Sequence, residues 1–171
     1  HGSHFRTRNK EYKRSCHEAS IRIPMLAYGP GFTGGRVIKE LVSLIDVPPT
    51  LLACAGIDKP QPMKGRPMQE LLEGKTGEWP EEVFLQISES HIGRAIRTNK
   101  WKYSVRTDDR SLEYSGSSDL YIEDFLYDLE NDPHEKNNLV LDPGYAGIRK
   151  ELSEILKKRM VQAGEAIPQI L

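Results

Sequence analysis

Residues 93–106 read GRAIRTNKWKYSVR, and the period within them sets the architecture of the second half of the chain. Trp101, Tyr103 and Val105 alternate with Lys102, Ser104 and Arg106, so a strand here carries its aromatics on one face and its charges on the other. Asn99-Lys100 reads as the hairpin turn to a short partner at residues 94–98. Working outward, residues 83–88 (VFLQIS) and 121–129 (YIEDFLYDL) are further strand candidates, the second broken by Glu130-Asn131-Asp132-Pro133. An antiparallel sheet is expected. Beyond it Tyr145, Ile148, Leu152, Ile155, Leu156 and Met160 recur at intervals of three and four, opposite a charged face, which predicts a helix opened by Asp142-Pro143 and closed by Gly164. The hairpin offers one apolar face and the helix one apolar stripe. Each needs a cover, and the two are expected to pack together.

The first half reads differently. Residues 21–29 (IRIPMLAYG) form a short apolar run ending at Pro30-Gly31, the pattern of a buried strand. Asp46 is placed to cap a helix over residues 48–55, with Pro48 and Pro49 in its first turn and Gly56 at its end. A second short helix over residues 67–73 closes at Gly74, and the polar connector 75–80 suits a boundary.

A length of 171 residues is one domain's worth of chain. No apolar run approaches the roughly 20 residues that cross a bilayer, so no membrane span is expected. With 24 basic against 25 acidic side chains the net charge is −1, which leaves no global field to draw the protein onto nucleic acid. Two cysteines without CxxC spacing indicate neither a disulfide framework nor a zinc ribbon. Charge is unevenly spread, however. Residues 1–31 hold six basic side chains against Glu11 and Glu18, while residues 113–142 hold nine acidic ones, Glu113 among them, against Lys136 alone. An anion site near the amino end is the sharper reading of the first cluster.

Nucleophilic hydrolysis needs an activated Ser, Cys or Thr beside a base. Cys54 lies inside a helix, and Cys16 and His17, as sequence neighbours, point apart on a helical turn, so neither cysteine is expected to serve. The stronger constellation is His1, Lys13, Glu18, Arg22 and Pro24. There Glu18 and Arg22, four apart, suit a supporting ion pair.

His1-Gly2 followed by Lys13-x4-Glu18-x3-Arg22-x-Pro24 resembles the sulfatases of the alkaline-phosphatase superfamily, just after their Asp-His-Gly or Asp-Asn-Gly metal motif. Three further segments add to the likeness. LVSLIDVPPTLLACAGI (residues 41–57) is similar to the family's strand-to-helix element, GRAIRTNKWKY (93–103) to its hairpin, and LYDLENDPHEKNNL (126–139) to its carboxy-terminal signature. The resemblance implies an α/β fold: the last part of an alkaline-phosphatase-like core over residues 1–76, then a small antiparallel-sheet subdomain packed with a carboxy-terminal helix over residues 77–171. It implies that His1 helps bind a divalent metal, usually calcium, and that Lys13 is the catalytic lysine contacting the sulfate. An ammonium with three donors suits a tetrahedral anion whose ester bond is breaking. His91, in the loop Glu89-Ser90-His91-Ile92-Gly93, is a candidate for contact with the substrate's leaving group.

The family's formylglycine nucleophile arises from a Cys/Ser-x-Pro-x-Arg motif, which is absent from these residues, as is the family's metal-binding Asp cluster. The chain therefore reads as the carboxy-terminal portion of a sulfatase, inactive by itself and binding no cofactor tightly alone. Its expected partners are the missing amino-terminal part and a sulfated small molecule or glycan. Periplasmic, secreted or lysosomal settings go with the resemblance. The alternatives are a phosphodiester or phosphonate monoester hydrolase of the same superfamily and a non-catalytic glycan-binding or interaction module.

Overall fold

A computed structural model describes residues 1–10, 12–89, 91–107, 109 and 116–171, so Glu11, Ser90 and Glu113 of the sequence reading lie outside the described residues. Helices α1 (Glu18–Ile21), α2 (Val47–Cys54), α3 (Gln69–Leu72) and α4 (Ala146–Gln162) accompany strands β1 (Glu82–Ile87), β2 (Ile92–Thr98), β3 (Trp101–Thr107), β4 (Leu120–Asp128) and β5 (Gln169–Ile170). The strands lie side by side in chain order in a five-stranded sheet. By internal contacts, His1–Ile23 together with Phe84–Leu171 form one compact unit and Pro24–Val83 a second.

In the first unit the expected hairpin is present. β2 and β3 pair antiparallel with Ile96 opposite Tyr103, joined through Asn99-Lys100. β4 pairs antiparallel with β3, but Ser104 faces Phe125 while Val105 faces Glu123, so Asp124 is the extra residue of a bulge. β5 runs parallel to β4, a geometry that requires a crossover. α4 lies within that connection.

The expected docking of hairpin and helix is also found. Tyr103, Val105, Ile92, Ile96, Tyr121 and Leu126 share a buried cluster with Leu152, Leu156 and Met160 of α4. Burying each large aliphatic side chain contributes about 1.5–3 kcal/mol. The other face of β3 is not solvated as its charges suggest, because Lys102 is 0% and Ser104 2% exposed. Cys16 of the amino segment packs on that face beside Ala95, Phe125, Tyr127 and Leu129. The sheet is thus covered on both sides.

In the second unit α2 has its prolines in the first turn and ends before Gly56, which takes φ +67°. Asp46 does not cap α2. Its carboxylate turns back to accept Ser43 N at 2.8 Å and Arg66 N at 3.0 Å, because a turn of 3-10 helix over Leu44–Asp46 precedes α2 and brings Ser43 within reach. A Cβ at Gly65 would overlap the Ile45 carbonyl, so the close approach beside Arg66 requires glycine. The expected buried strand at residues 21–29 is not formed. α1 takes the first residue, and among the described residues no strand pairs with residues 22–28. Leu26 is left 99% and Tyr28 95% exposed.

Candidate functional site

Within the first unit a cavity of about 960 Å³ opens between the amino segment and the sheet. One wall is Arg8, Lys10, Cys16 and His17, and the other includes His91, Arg106, Phe125 and Tyr127. The segment stands here because Gly2 runs against α1: Gly2 N donates to Ser20 O at 2.8 Å, and a Cβ would overlap Ala19 O. At the other end Glu18 N donates to Glu135 Oε2 at 2.8 Å, and Arg8 donates to the carbonyls of His134 and Glu135, each at 2.6 Å.

The amino segment also takes part in a buried ionic cluster. Lys102 Nζ stands 2.6 Å from both Glu18 Oε1 and Glu135 Oε1, and Arg97 Nε is 3.5 Å from Glu18. Burial acts to raise the Glu18 carboxyl, but Lys102 and Arg97 outweigh it and hold the group below its ordinary range. The Glu18–Arg22 pair expected from helical spacing is replaced by this one. α1 ends at Ile21, and Arg22 already has extended backbone with ψ 107°, which removes it from the helical face.

The two residues with nucleophile-and-base chemistry are inert. Burial pushes the Cys16 thiol up to about 12, so it stays protonated, while burial and then Arg8 push His17 down to about 3 and keep it neutral. His17 is held by rings instead, 4.6 Å from the Phe125 centroid and with Nε2 3.4 Å from Tyr127 Oη. Arg106 pairs with Asp124 at 3.0 Å on the rim.

Of the residues singled out in the sequence, His91 lines the cavity, and Gly93 makes room for its ring, since a Cβ there would sit 3.1 Å from Nε2. Lys13 is half-buried with Nζ 5.3 Å above the Tyr12 ring, and His1 is exposed with Nδ1 3.0 Å from Gly2 O. Neither lines the cavity, so the three residues are not gathered there. Among the described residues no group of three or more His, Cys, Asp or Glu side chains could hold a metal ion. His1 offers a single donor, and the residues present do not make a calcium site by themselves. Arg8, Lys102 and Glu135 are the residues that sequence reasoning missed. The one available signal was the alternation that put Lys102 on the hairpin's second face, which becomes informative only once that face is known to be covered.

Comparison with known proteins adds to this geometry. The family described as N-sulphoglucosamine sulphohydrolase, C-terminal, matches residues 10–162. Arylsulfatase K of Homo sapiens is 30% identical over 151 residues, which cover 82% of this chain and 26% of that protein. Arylsulfatase A of Homo sapiens is 34% identical over 160 residues, 85% of this chain and 31% of that protein. A solved structure in complex with its substrate D-glucosamine-2-N,6-O-disulfate superposes with a TM-score of 0.57 at 25% identity, covering 68% of this chain and 23% of that one. The chain spans about a quarter of the length of the arylsulfatase K it matches.

Proposed function

Because the chain belongs to the sulfatase family, as a carboxy-terminal portion with the mixed α/β fold of that family, we propose that the protein carrying it hydrolyses a sulfate ester of a carbohydrate or other small molecule. The observation that carries this reading is the family match over residues 10–162, which includes Lys13 and the Glu18, Arg22 and Pro24 that follow it at the family's spacing. A formylglycine nucleophile and a calcium ion belong, in this reading, to the part of the protein outside these residues. This chain supplies Lys13, whose ammonium holds sulfate oxygens as negative charge shifts during ester cleavage, His1 as one donor towards the metal, and His91 towards the leaving group. The exposed Leu26, Tyr28 and Val37 support the rest of the same protein as the partner that covers residues 24–38. The division into an α/β core portion over residues 1–76 and a subdomain over 77–171 is part of the same proposal.

The test uses the polypeptide translated from the complete reading frame that contains these residues, with an aryl sulfate as substrate. Lys13→Ala is expected to lower kcat by about 10²–10³, the range for removing one donor from a developing anion. An aryl phosphate or phosphonate turned over in preference to the sulfate would move the protein to its superfamily relatives. Turnover of neither substrate would leave the non-catalytic module.

A further inference from the structure

We infer that Glu135 is a positioning residue which, together with Arg8, fixes residues 1–23 on the sheet and so sets where Lys13 stands; the link to Lys13 rests on the sulfatase reading above. Glu135 is 2% exposed and has φ +53°, a left-handed conformation that a glutamate adopts only when its surroundings impose it. That conformation turns both ends of the residue to the amino segment. Its side chain accepts Glu18 N at 2.8 Å and Lys102 Nζ at 2.6 Å, while its carbonyl accepts Arg8 Nη1 at 2.6 Å and the adjoining His134 carbonyl accepts Arg8 Nη2 at 2.6 Å. Positions 8 and 18 bracket Lys13.

Residues 1–23 are tied to themselves. His4 N donates to Tyr12 O at 2.8 Å, Gly2 N to Ser20 O at 2.8 Å and, between the anchors, Asn9 Nδ2 to Arg14 O at 2.9 Å, so holding the segment at two points holds it as a body. Charge supports the same assignment. A single buried carboxylate is costly, whereas here Lys102 and Arg97 face Glu18 and Glu135, and the set balances. The Arg8 fork fits two neighbouring carbonyls in a way that a lysine cannot. Turn 128–138, the centre of the carboxy-terminal signature, is on this geometry the receptor for the amino segment. Misplacing a reacting group by about 1 Å can cost on the order of 10²-fold in rate, so such an anchor acts on catalysis without touching substrate.

Two measurements test this. In the 171-residue chain, amide hydrogen exchange is compared among wild type, Glu135→Ala, Glu135→Gln and Arg8→Met. Glu135→Ala is expected to speed exchange at Gly2, Glu18 and Ser20 by at least about tenfold, the factor for losing a charge-assisted hydrogen bond, with Tyr103 and Leu156 unchanged. Glu135→Gln, which keeps an acceptor for Glu18 N, should restore part of the protection. Arg8→Met leaves the buried charges in place, and the same local loss is expected even if Glu135→Ala fails to fold. Unchanged exchange in Arg8→Met, or protection lost everywhere at once, overturns the anchoring.

In the polypeptide from the complete reading frame, Arg8→Met should lower kcat more than it raises KM, and it should have no further effect in a Lys13→Ala background. Additive losses overturn the link to Lys13. If Lys13→Ala itself leaves turnover unchanged, the assigned role of Lys13 falls, and with it the catalytic half of the inference. The exchange measurement then decides the anchoring half alone.

Discussion

His17 lines the cavity yet is only 8% exposed, and its neutrality has a measurable consequence. Its ordinary value is 6.5 and in the folded chain it is pushed down to about 3, so between those limits the unfolded state binds the extra proton. Stability is therefore complete above about pH 6.5 and falls as the pH drops towards 3, with a slope of up to about 1.4 kcal/mol per pH unit from this group. Glu18 has the same sign at lower pH, because its depressed carboxyl must be protonated on unfolding. Urea midpoints are expected to fall between pH 7 and pH 5, and His17→Phe, which keeps a ring against Phe125, should flatten that fall. An identical slope in the variant would show that His17 titrates in the folded chain as it does in the unfolded one.

Among the elements, the hairpin and α4 were readable from sequence because a period of two or of 3.6 residues is a local property, and burial followed it: Tyr103 and Leu156 are both 0% exposed. What lay beyond a local period was not readable. Alternation shows that Lys102 faces away from Tyr103, but not that the amino segment covers it. An apolar run at residues 21–29 shows a need for cover, and not which chain provides it. Lys13 was singled out through family spacing and His91 through its place in a loop between two strands, whereas Glu135 and Arg8 meet across the chain and left no periodic trace. On α4, Glu154 pairs with Lys157 at 3.0 Å, and Lys158, four residues on, is exposed. Leu152→Ala, at 2% exposure, should thus cost about 2–5 kcal/mol by removing core contacts, whereas Lys158→Ala should change stability by no more than a few tenths. Equal thermal midpoints would mean that α4 is not docked. Arg94 is a harsher case within β2. It is 1% exposed, its Nε meets Glu165 at 2.8 Å, and its remaining nitrogens reach the carbonyls of Ile87, Gly93 and Gly116. Replacing it with Leu takes the cation from Glu165, which keeps Gln86 Nε2 at 2.8 Å, and removes a donor from three carbonyls, of which Gly116 O keeps Ser88 Oγ at 3.0 Å. The loss is expected at about 3–5 kcal/mol, and Lys, with a single charged point, should recover little of it.

For the molecule as a whole, the question is whether these residues can carry out sulfate ester hydrolysis unaided. The reaction needs a nucleophile at the sulfur and neutralisation of the charge that builds on its oxygens. Cys16 is 3% exposed and its thiol is pushed up to about 12, so almost none is thiolate at neutral pH. Cys54 offers no better prospect, since its Sγ faces the Pro30 carbonyl at 3.3 Å and Gln69 Nε2 at 3.1 Å, and no base adjoins it among these contacts. The described residues gather no metal cluster, so added calcium has only His1 to meet from the assigned set. In the role proposed for it, Lys13 holds a sulfate and does not itself break its ester. The isolated 171-residue chain is therefore expected to leave an aryl sulfate intact with or without calcium, while the polypeptide from the complete reading frame turns it over. The assay should include Lys13→Ala of the isolated chain, because contamination by another sulfatase would survive that substitution. Turnover by the isolated chain that Lys13→Ala abolishes would place a nucleophile within these residues and overturn the assignment of the chemistry to the rest of the protein.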